Sequence, residues 1–447
     1  MTTQKVIKTV VTENQTRPRQ KLETLLLHSD INILNNEEDV EFVHHRLSSA
    51  SVPSPPLYDT PSASPYVFSP WNQPISPYIN SPWIHQSSTD NDMCSWQPGL
   101  IGSLVREEGH IYSLAASGNI LYTGSESRNI HVWKDLKEFS GFKSHSGLVK
   151  AIIVTGNKIF TGHQDGKIRV WQVPLGQKRV YKRIGNLPTS KDFIKSSMNP
   201  KSYVKVRRHR NVPWIKHFDA VSCMSLDEEN GLLYSGSWDK TVKIWRLSDL
   251  KCMESVNAHD DAVNSVAVHD GLVFTGSADG TVKMWRREVV KKVMRHVLVQ
   301  TLLKQEFAVT AVAVAASGVV YSGASDGLIS YWVREKKSLY YGGALKGHKM
   351  AVLCLAVAGN LVVSGSADKN ICVWRREESG DHSCLTVLVG HSGPVKCLSI
   401  VEEEGGIYED EEEDEDQRWR LYSGSLDSSV KVWRLSEHGH EVDQFGE

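Results

Sequence analysis

The chain lacks the signatures of a membrane-spanning, disulfide-stapled or catalytic protein. Its longest apolar stretch, Ala308 to Val320, is broken by Ser317 and Gly318 and has strand periodicity, so no membrane span is expected. The opening Met-Thr-Thr-Gln-Lys has no apolar signal region, and no export signal is expected. Seven cysteines without paired ligand spacing imply reduced thiols, with neither a disulfide frame nor a metal site. No glycine-rich phosphate loop and no unique nucleophile with its base can be found, so an enzyme, a cofactor and a small-molecule substrate are not expected. Net charge is also nearly absent, at −1, but only because two segments of opposite sign cancel.

What the chain does have is a repeat. Trp133, Trp171, Trp245, Trp285, Trp332, Trp374 and Trp433 each close a short apolar strand, and a Ser/Thr-Gly step stands about ten residues before each of them. A period near forty with four short strands per unit means blades, and seven blades bury both faces of every sheet only by closing into a ring. We therefore expect an all-β, seven-bladed propeller over residues 100–436, with a flexible tail at 437–447. Leu100 to Val105 is one strand too many at the front, whereas the last repeat is one strand short. The first strand should complete the last blade.

Five repeats place a His about twenty residues or more before the hairpin Asp: His145 with Asp165, His217 with Asp239, His259 with Asp279, His348 with Asp368, and His391 with Asp427. One such pair would suggest catalysis. Five of them, each with a Ser or Thr and a Trp, indicate a buried brace in which carboxylate, imidazole, hydroxyl and indole are linked. Two repeats depart, with Glu107 and Ser127 in the first and Gln305 and Asp326 in the fifth, and looser sectors are expected there. Cys223, Cys354 and Cys397 share a register with Ser113, Ala151, Ser265 and Ala311, which indicates crowding at that place.

Outside the repeats, residues 1–99 hold 11 of the 16 prolines and read as a disordered Ser/Pro-rich arm. Ser54, Thr60, Ser64, Ser69, Ser76 and Ser81 each precede Pro and are candidates for phosphorylation. A basic insertion at 172–216 carries twelve Lys or Arg between Lys178 and Lys216, with one acidic residue, Asp192. Lys205, Arg207, Arg208 and Arg210, mixed with Tyr181, Phe193, Tyr203 and Trp214, open a nucleic-acid reading; Thr189 to Asp192 equally suits the start of a short helix in a structured flap. The loop 402–416 has eleven acidic residues and interrupts a hairpin between Ile400 and Leu421. Strand starts and hairpin tips gather at one mouth of the central channel, which makes Tyr112, Lys150, Gln164, Trp238, Asn264, Leu353, Lys396 and Leu426 the candidate partner-binding residues. Trp238 has two readings, a binding anchor or a ring lying on a neighbouring Lys.

The Trp, Ser/Thr-Gly, His and Asp pattern resembles the WD-repeat family across about three quarters of the chain. Asn186-Leu187-Pro188 through Asn199-Pro200-Lys201, then Val206 to Arg210, Trp214 to His217 and Asp219 to Cys223, resemble the plant Jingubang-type WD-repeat proteins, as do the Ser-Pro-Trp runs of the arm. That resemblance implies a non-catalytic regulator of plant growth or pollen, binding other proteins including transcription factors, in cytoplasm or nucleus. No strand here ends in Trp-Asp, since each closing Trp is followed by Lys, Gln, Arg or Val, so the Trp-Asp-x-Arg signature of ubiquitin-ligase substrate receptors is missing. A substrate-adaptor role and a nucleic-acid role stand as alternatives.

Overall fold

In the computed structural model, residues 95–96, 99–105, 109–146, 148–174, 180–207, 210–291, 293–336, 338–403 and 418–438 are described. They build six four-stranded antiparallel sheets, one five-stranded sheet and one two-stranded hairpin. Blade 1 has strands Ile111–Ser117, Ile120–Ser125, Asn129–Lys134 and Lys137–Lys143. Blades 2 to 6 repeat that order over 149–187, 221–257, 263–304, 309–346 and 352–388. The first strands of neighbouring blades pack on each other in sequence, and that of blade 7 returns to that of blade 1. The ring is closed.

Closure uses the expected strand. Gly99–Val105 lies antiparallel on Ser429–His438 of blade 7, with Leu100 opposite Trp433 and Leu104 opposite Val430. Leu104 enters one core cluster with Ile111, Trp133, Tyr422 and Val432, which joins the first and last blades by burial as well as by backbone bonds. Pairing starts earlier than the sequence suggests, since Ser95–Trp96 also meets Glu437 and His438. The six Ser/Thr-Pro sites lie outside the described residues, as do Glu107, Arg208 and 404–417.

A second device recurs at every blade boundary. The glycine of each Ser/Thr-Gly step faces the first residue of the next blade so closely that a Cβ would overlap it. At Gly236 the added carbon would stand 2.5 Å from Cys223 Sγ and 2.8 Å from Val263; at Gly424 it would stand 2.7 Å from Ile111, across the closing seam. The crowding inferred at Cys223, Cys354 and Cys397 is therefore real. These small residues also tie the seam: Ser113 Oγ donates to the Val149 carbonyl at 2.9 Å, and Cys354 Sγ faces that of Val395 at 3.5 Å.

The basic insertion is structured. Thr189 caps the helix Ser190–Ser197 by accepting from the Asp192 amide at 3.1 Å, and its hydroxyl donates to the Asp192 carboxylate at 2.7 Å. A single 3-10 turn, Pro200–Ser202, leads to the hairpin Tyr203–Arg207 and Arg210–Pro213. Buried Lys243 of blade 3 anchors it, donating to the Trp214 carbonyl at 2.5 Å and to Ser255 Oγ at 2.6 Å. The acidic loop begins where expected, for Ile400 and Leu421 are paired and Glu402 faces Trp419 at the last rung.

Candidate docking site at the channel mouth

The brace exists in four of the five expected blades. In blade 3, His217 Nδ1 donates to Asp239 at 2.8 Å, Ser235 Oγ donates to His217 Nε2 at 2.9 Å, and Trp245 Nε1 donates to Ser235 Oγ at 2.8 Å. The same chain runs through His259, Asp279, Thr275 and Trp285, through His348, Asp368, Ser364 and Trp374, and through His391, Asp427, Ser423 and Trp433. Burial opposes ionisation of Asp239, but His217 and the hydrogen bonds it receives outweigh burial and hold it below the usual carboxylate range. Burial lowers His217 despite that carboxylate, so the imidazole stays neutral. These groups are fully engaged within the fold.

Blade 2 corrects the expectation. His145 is exposed, and Asp165 instead takes Arg169 at 2.8 Å. The imidazole comes from the strand itself: His163 Nε2 meets Thr161 Oγ1 at 2.8 Å, and Trp171 donates to the same oxygen at 2.9 Å. With that space filled from His163, the loop histidine has no place to enter. Burial, reinforced by Arg169, lowers His163 to about 3, and its Nδ1 is buried without a partner. In blade 5, Gln305 turns to the Phe307 carbonyl at 3.3 Å, Asp326 bonds only its own turn at Leu328, and Ser322 Oγ is buried without a partner. In blade 1, Ser127 bonds Ser125 at 3.0 Å, and Trp133 keeps its bond to Thr123 at 3.1 Å.

The braces fix the mouth. In each blade the hairpin-tip amide donates to the carbonyl just before the first strand, as from Gln164 to Leu148 at 3.3 Å, Trp238 to Ala220 at 3.1 Å and Leu426 to Pro394 at 3.0 Å. The second residue of every first strand is a β-bulge, at Tyr112, Lys150, Ser222, Asn264, Thr310, Leu353 and Lys396. A bulge re-aims its side chain, so one residue per blade is offered at the same level of the ring. Hydrophobic alternation carries no mark of it.

Those positions are unevenly filled. Lys150 Nζ lies 4.4 Å from the Tyr112 ring centroid and 5.0 Å from that of Trp238, so one ammonium is held between two aromatic rings from the blades on either side. Trp238 thus takes the second of its two readings, a ring lying against a neighbouring Lys. His110 stands edge-on to Tyr112, with centroids 6.4 Å apart, and its Nδ1 contacts the Leu426 carbonyl of blade 7. Gln164 is exposed beside this group, and burial lowers the half-buried Lys396 below the ordinary lysine range. The other candidates turn inward: Asn264 Nδ2 donates to the Val309 carbonyl at 2.8 Å, and Leu353 is 9% exposed. Blades 4 to 6 otherwise present Ala262, Ala278, Ala308, Ser325, Ala351 and Ala367 at these places, with exposed Phe307 and Met350 next to Ala308 and Ala351. The clustered aromatic and basic relief lies on blades 7, 1, 2 and 3.

Away from the mouth, the insertion exposes Lys191, Lys195, Lys201 and Lys205 together with Phe193 and Tyr203. Tyr181 is not part of that face, since it stacks in the core on Phe142 at 4.7 Å. Arg207 and Arg210 are opposite each other at the end of the hairpin. Among the described residues no group of His, Cys, Asp and Glu is arranged to hold a metal, and no helix is long and apolar enough to cross a membrane.

A closed ring of seven glycine-seamed blades, four of them carrying the complete brace, defines a β-propeller interaction platform. The chain belongs to the WD-repeat family: the family model described as WD domain, G-beta repeat, matches residues 102–134, 136–172, 212–246, 250–286, 340–375 and 382–434. The match skips most of blade 5, where the brace is incomplete. Relatives include a WD repeat-containing protein, pop2, of Schizosaccharomyces pombe, 33% identical over 21% of this chain and 13% of that protein. Cell division control protein 4 of Saccharomyces cerevisiae is 24% identical over 54% of this chain and 25% of that protein. Nuclear distribution protein nudF 1 of Talaromyces marneffei is 29% identical over 55% of this chain and 45% of that protein. The chain thus spans less than half the length of these relatives, and what it shares with them is the repeat platform, a fold that serves protein interaction.

Proposed function

We propose that this protein is a non-catalytic scaffold that captures partner proteins on the raised sector of the mouth formed by blades 7, 1, 2 and 3. The observation that carries this reading is the Tyr112, Lys150 and Trp238 cluster, facing blades whose equivalent positions are small or turned inward. A Trp and an aliphatic-stemmed Lys on a rigid ring supply contact area at little ordering cost. The resemblance to plant Jingubang-type proteins supports a finer role, as a regulator of plant growth or pollen acting with transcription factors in cytoplasm or nucleus. The Ser-Pro arm would then act as its phosphorylated tether.

The test is quantitative affinity purification of the full chain against Lys150→Ala/Trp238→Ala. Tyr112 is left in place because it is only 9% exposed and its removal would also cut the core. Interactors should fall by about tenfold or more while the melting temperature holds. Undiminished capture would move the site elsewhere. A second reading rests on the exposed Lys191, Lys195, Lys201 and Lys205 with Phe193 and Tyr203: if nucleic acid binds there, affinity should collapse with salt and with Lys201→Ala/Lys205→Ala.

A further inference from the structure

Two thiols meet on the outer half of blade 6. Cys372 lies in the third strand, two residues before Trp374, and is buried; Cys384 lies in the fourth strand, opposite Trp374, and is exposed. A register shift between Val373 and Trp374 brings these diagonal positions together on neighbouring strands, so the two thiols face each other across the outer edge of the blade. The repeat shows independently that these two positions share one face. In blade 1 the equivalent positions hold His131 and Glu138, two before Trp133 and opposite it across the same shift, and their side chains meet at 3.2 Å.

The two sulfurs differ in character. Cys384 is exposed, and its neighbour Cys372 lowers it against the opposing effect of burial, so Cys384 is the thiol that meets solvent peroxide. Cys372 is buried, with its sulfur 3.9 Å from His348 Nδ1, and is raised by its neighbour Cys384 and by burial. Cys223, Cys252, Cys354 and Cys397 are all pushed up by burial, and so serve as unreactive internal references.

We propose that Cys384 and Cys372 are a peroxide-responsive dithiol, with Cys384 as the attacking and Cys372 as the resolving thiol. The Cys384 thiolate attacks one oxygen of hydrogen peroxide, the O–O bond breaks, and hydroxide leaves and is protonated to water. The resulting sulfenic acid is attacked by the Cys372 sulfur: the S–S bond forms, the S–O bond breaks, and a second water leaves with the Cys372 proton. Both sulfurs are oxidised and the peroxide is reduced, so the sum is two thiols and one peroxide to one disulfide and two waters. The bond would cross-link the two outer strands of blade 6 and draw the Cys372 sulfur away from His348, whose Nδ1 bonds Asp368 at 3.0 Å.

The full-length protein is treated with hydrogen peroxide, and its thiols are read by differential alkylation and non-reducing peptide mapping. Before oxidation, Cys384 should alkylate about tenfold faster than the four reference cysteines. After it, one linked peptide should carry Cys372 and Cys384, lighter by two hydrogen atoms and restored by dithiothreitol. Cys384→Ser, a change at an exposed site, should protect Cys372 from oxidation. Cys372→Ser should leave Cys384 as a sulfenic acid trapped by dimedone. No linked peptide, oxidation of Cys372 in Cys384→Ser, or a wild-type Cys384 joined to Cys94 instead would each overturn the proposal.

Discussion

His163 sets up a pH dependence with no carboxylate hydrogen-bonded to its ring. Its side chain is fully buried, bonds Thr161, and is held neutral because burial and Arg169 lower it to about 3, against an ordinary 6.5. The unfolded chain therefore binds a proton that the folded one refuses between those values. Stability rises with pH through this window, is complete above the ordinary value, and is lost as pH falls below it. At about pH 5 the loss assigned to this one group is roughly 2 kcal/mol, from about 1.4 kcal/mol per pH unit. His217 and His382 are lowered in the same sense, so the wild-type curve sums several groups. Denaturant unfolding of wild type and His163→Gln near pH 7 and about pH 5 isolates the term. The variant should be less stable near pH 7 and should lose about 2 kcal/mol less than wild type on acidification. Equal losses in the two proteins would refute the assignment of a buried, neutral His163.

Other consequences are direct. Gly365→Ala places a carbon 2.6 Å from Val395 and 2.7 Å from Cys354 Sγ, and should cost roughly 1 to 3 kcal/mol in thermal or denaturant unfolding. Leu104→Ala cuts the closing core between the first and last blades and should cost about 2 to 5 kcal/mol, although no other contact of blades 2 to 6 is touched. Lys243→Met removes the donor to the Trp214 carbonyl, so amide exchange in 199–213 should accelerate while that of the blade 4 core stays unchanged.

Much of the architecture was legible because its determinants are side chains that recur at fixed spacing. In blades 3, 4, 6 and 7 the indole, hydroxyl, imidazole and carboxylate of a brace satisfy one another inside the blade, and so the pattern is visible in the primary structure. His145 misled for the same reason. It has the right spacing to Asp165, but His163, two residues beyond Thr161, reaches the same hydroxyl from inside the sheet and leaves no room. The mouth was only partly legible: the strand starts and hairpin tips could be placed, but whether a side chain there points out or in depends on the bulge and on the neighbouring blade. Asn264 and Leu353 turn inward for that reason, whereas Lys150 is drawn up between two rings. Tyr181 was counted among the aromatics interspersed with the basic residues, but its ring packs in the core on Phe142.

The account turns on the raised sector being where partners dock. Its most direct measurement is the equilibrium affinity of a partner recovered with the wild-type chain, titrated against Trp238→Ala and against a distant control, Tyr340→Ala/Tyr341→Ala, whose rings are exposed on the outer strand of blade 5. We predict a loss of about tenfold or more for Trp238→Ala and none for the control. Equal affinities for Trp238→Ala and wild type, or a loss confined to the control, would contradict it.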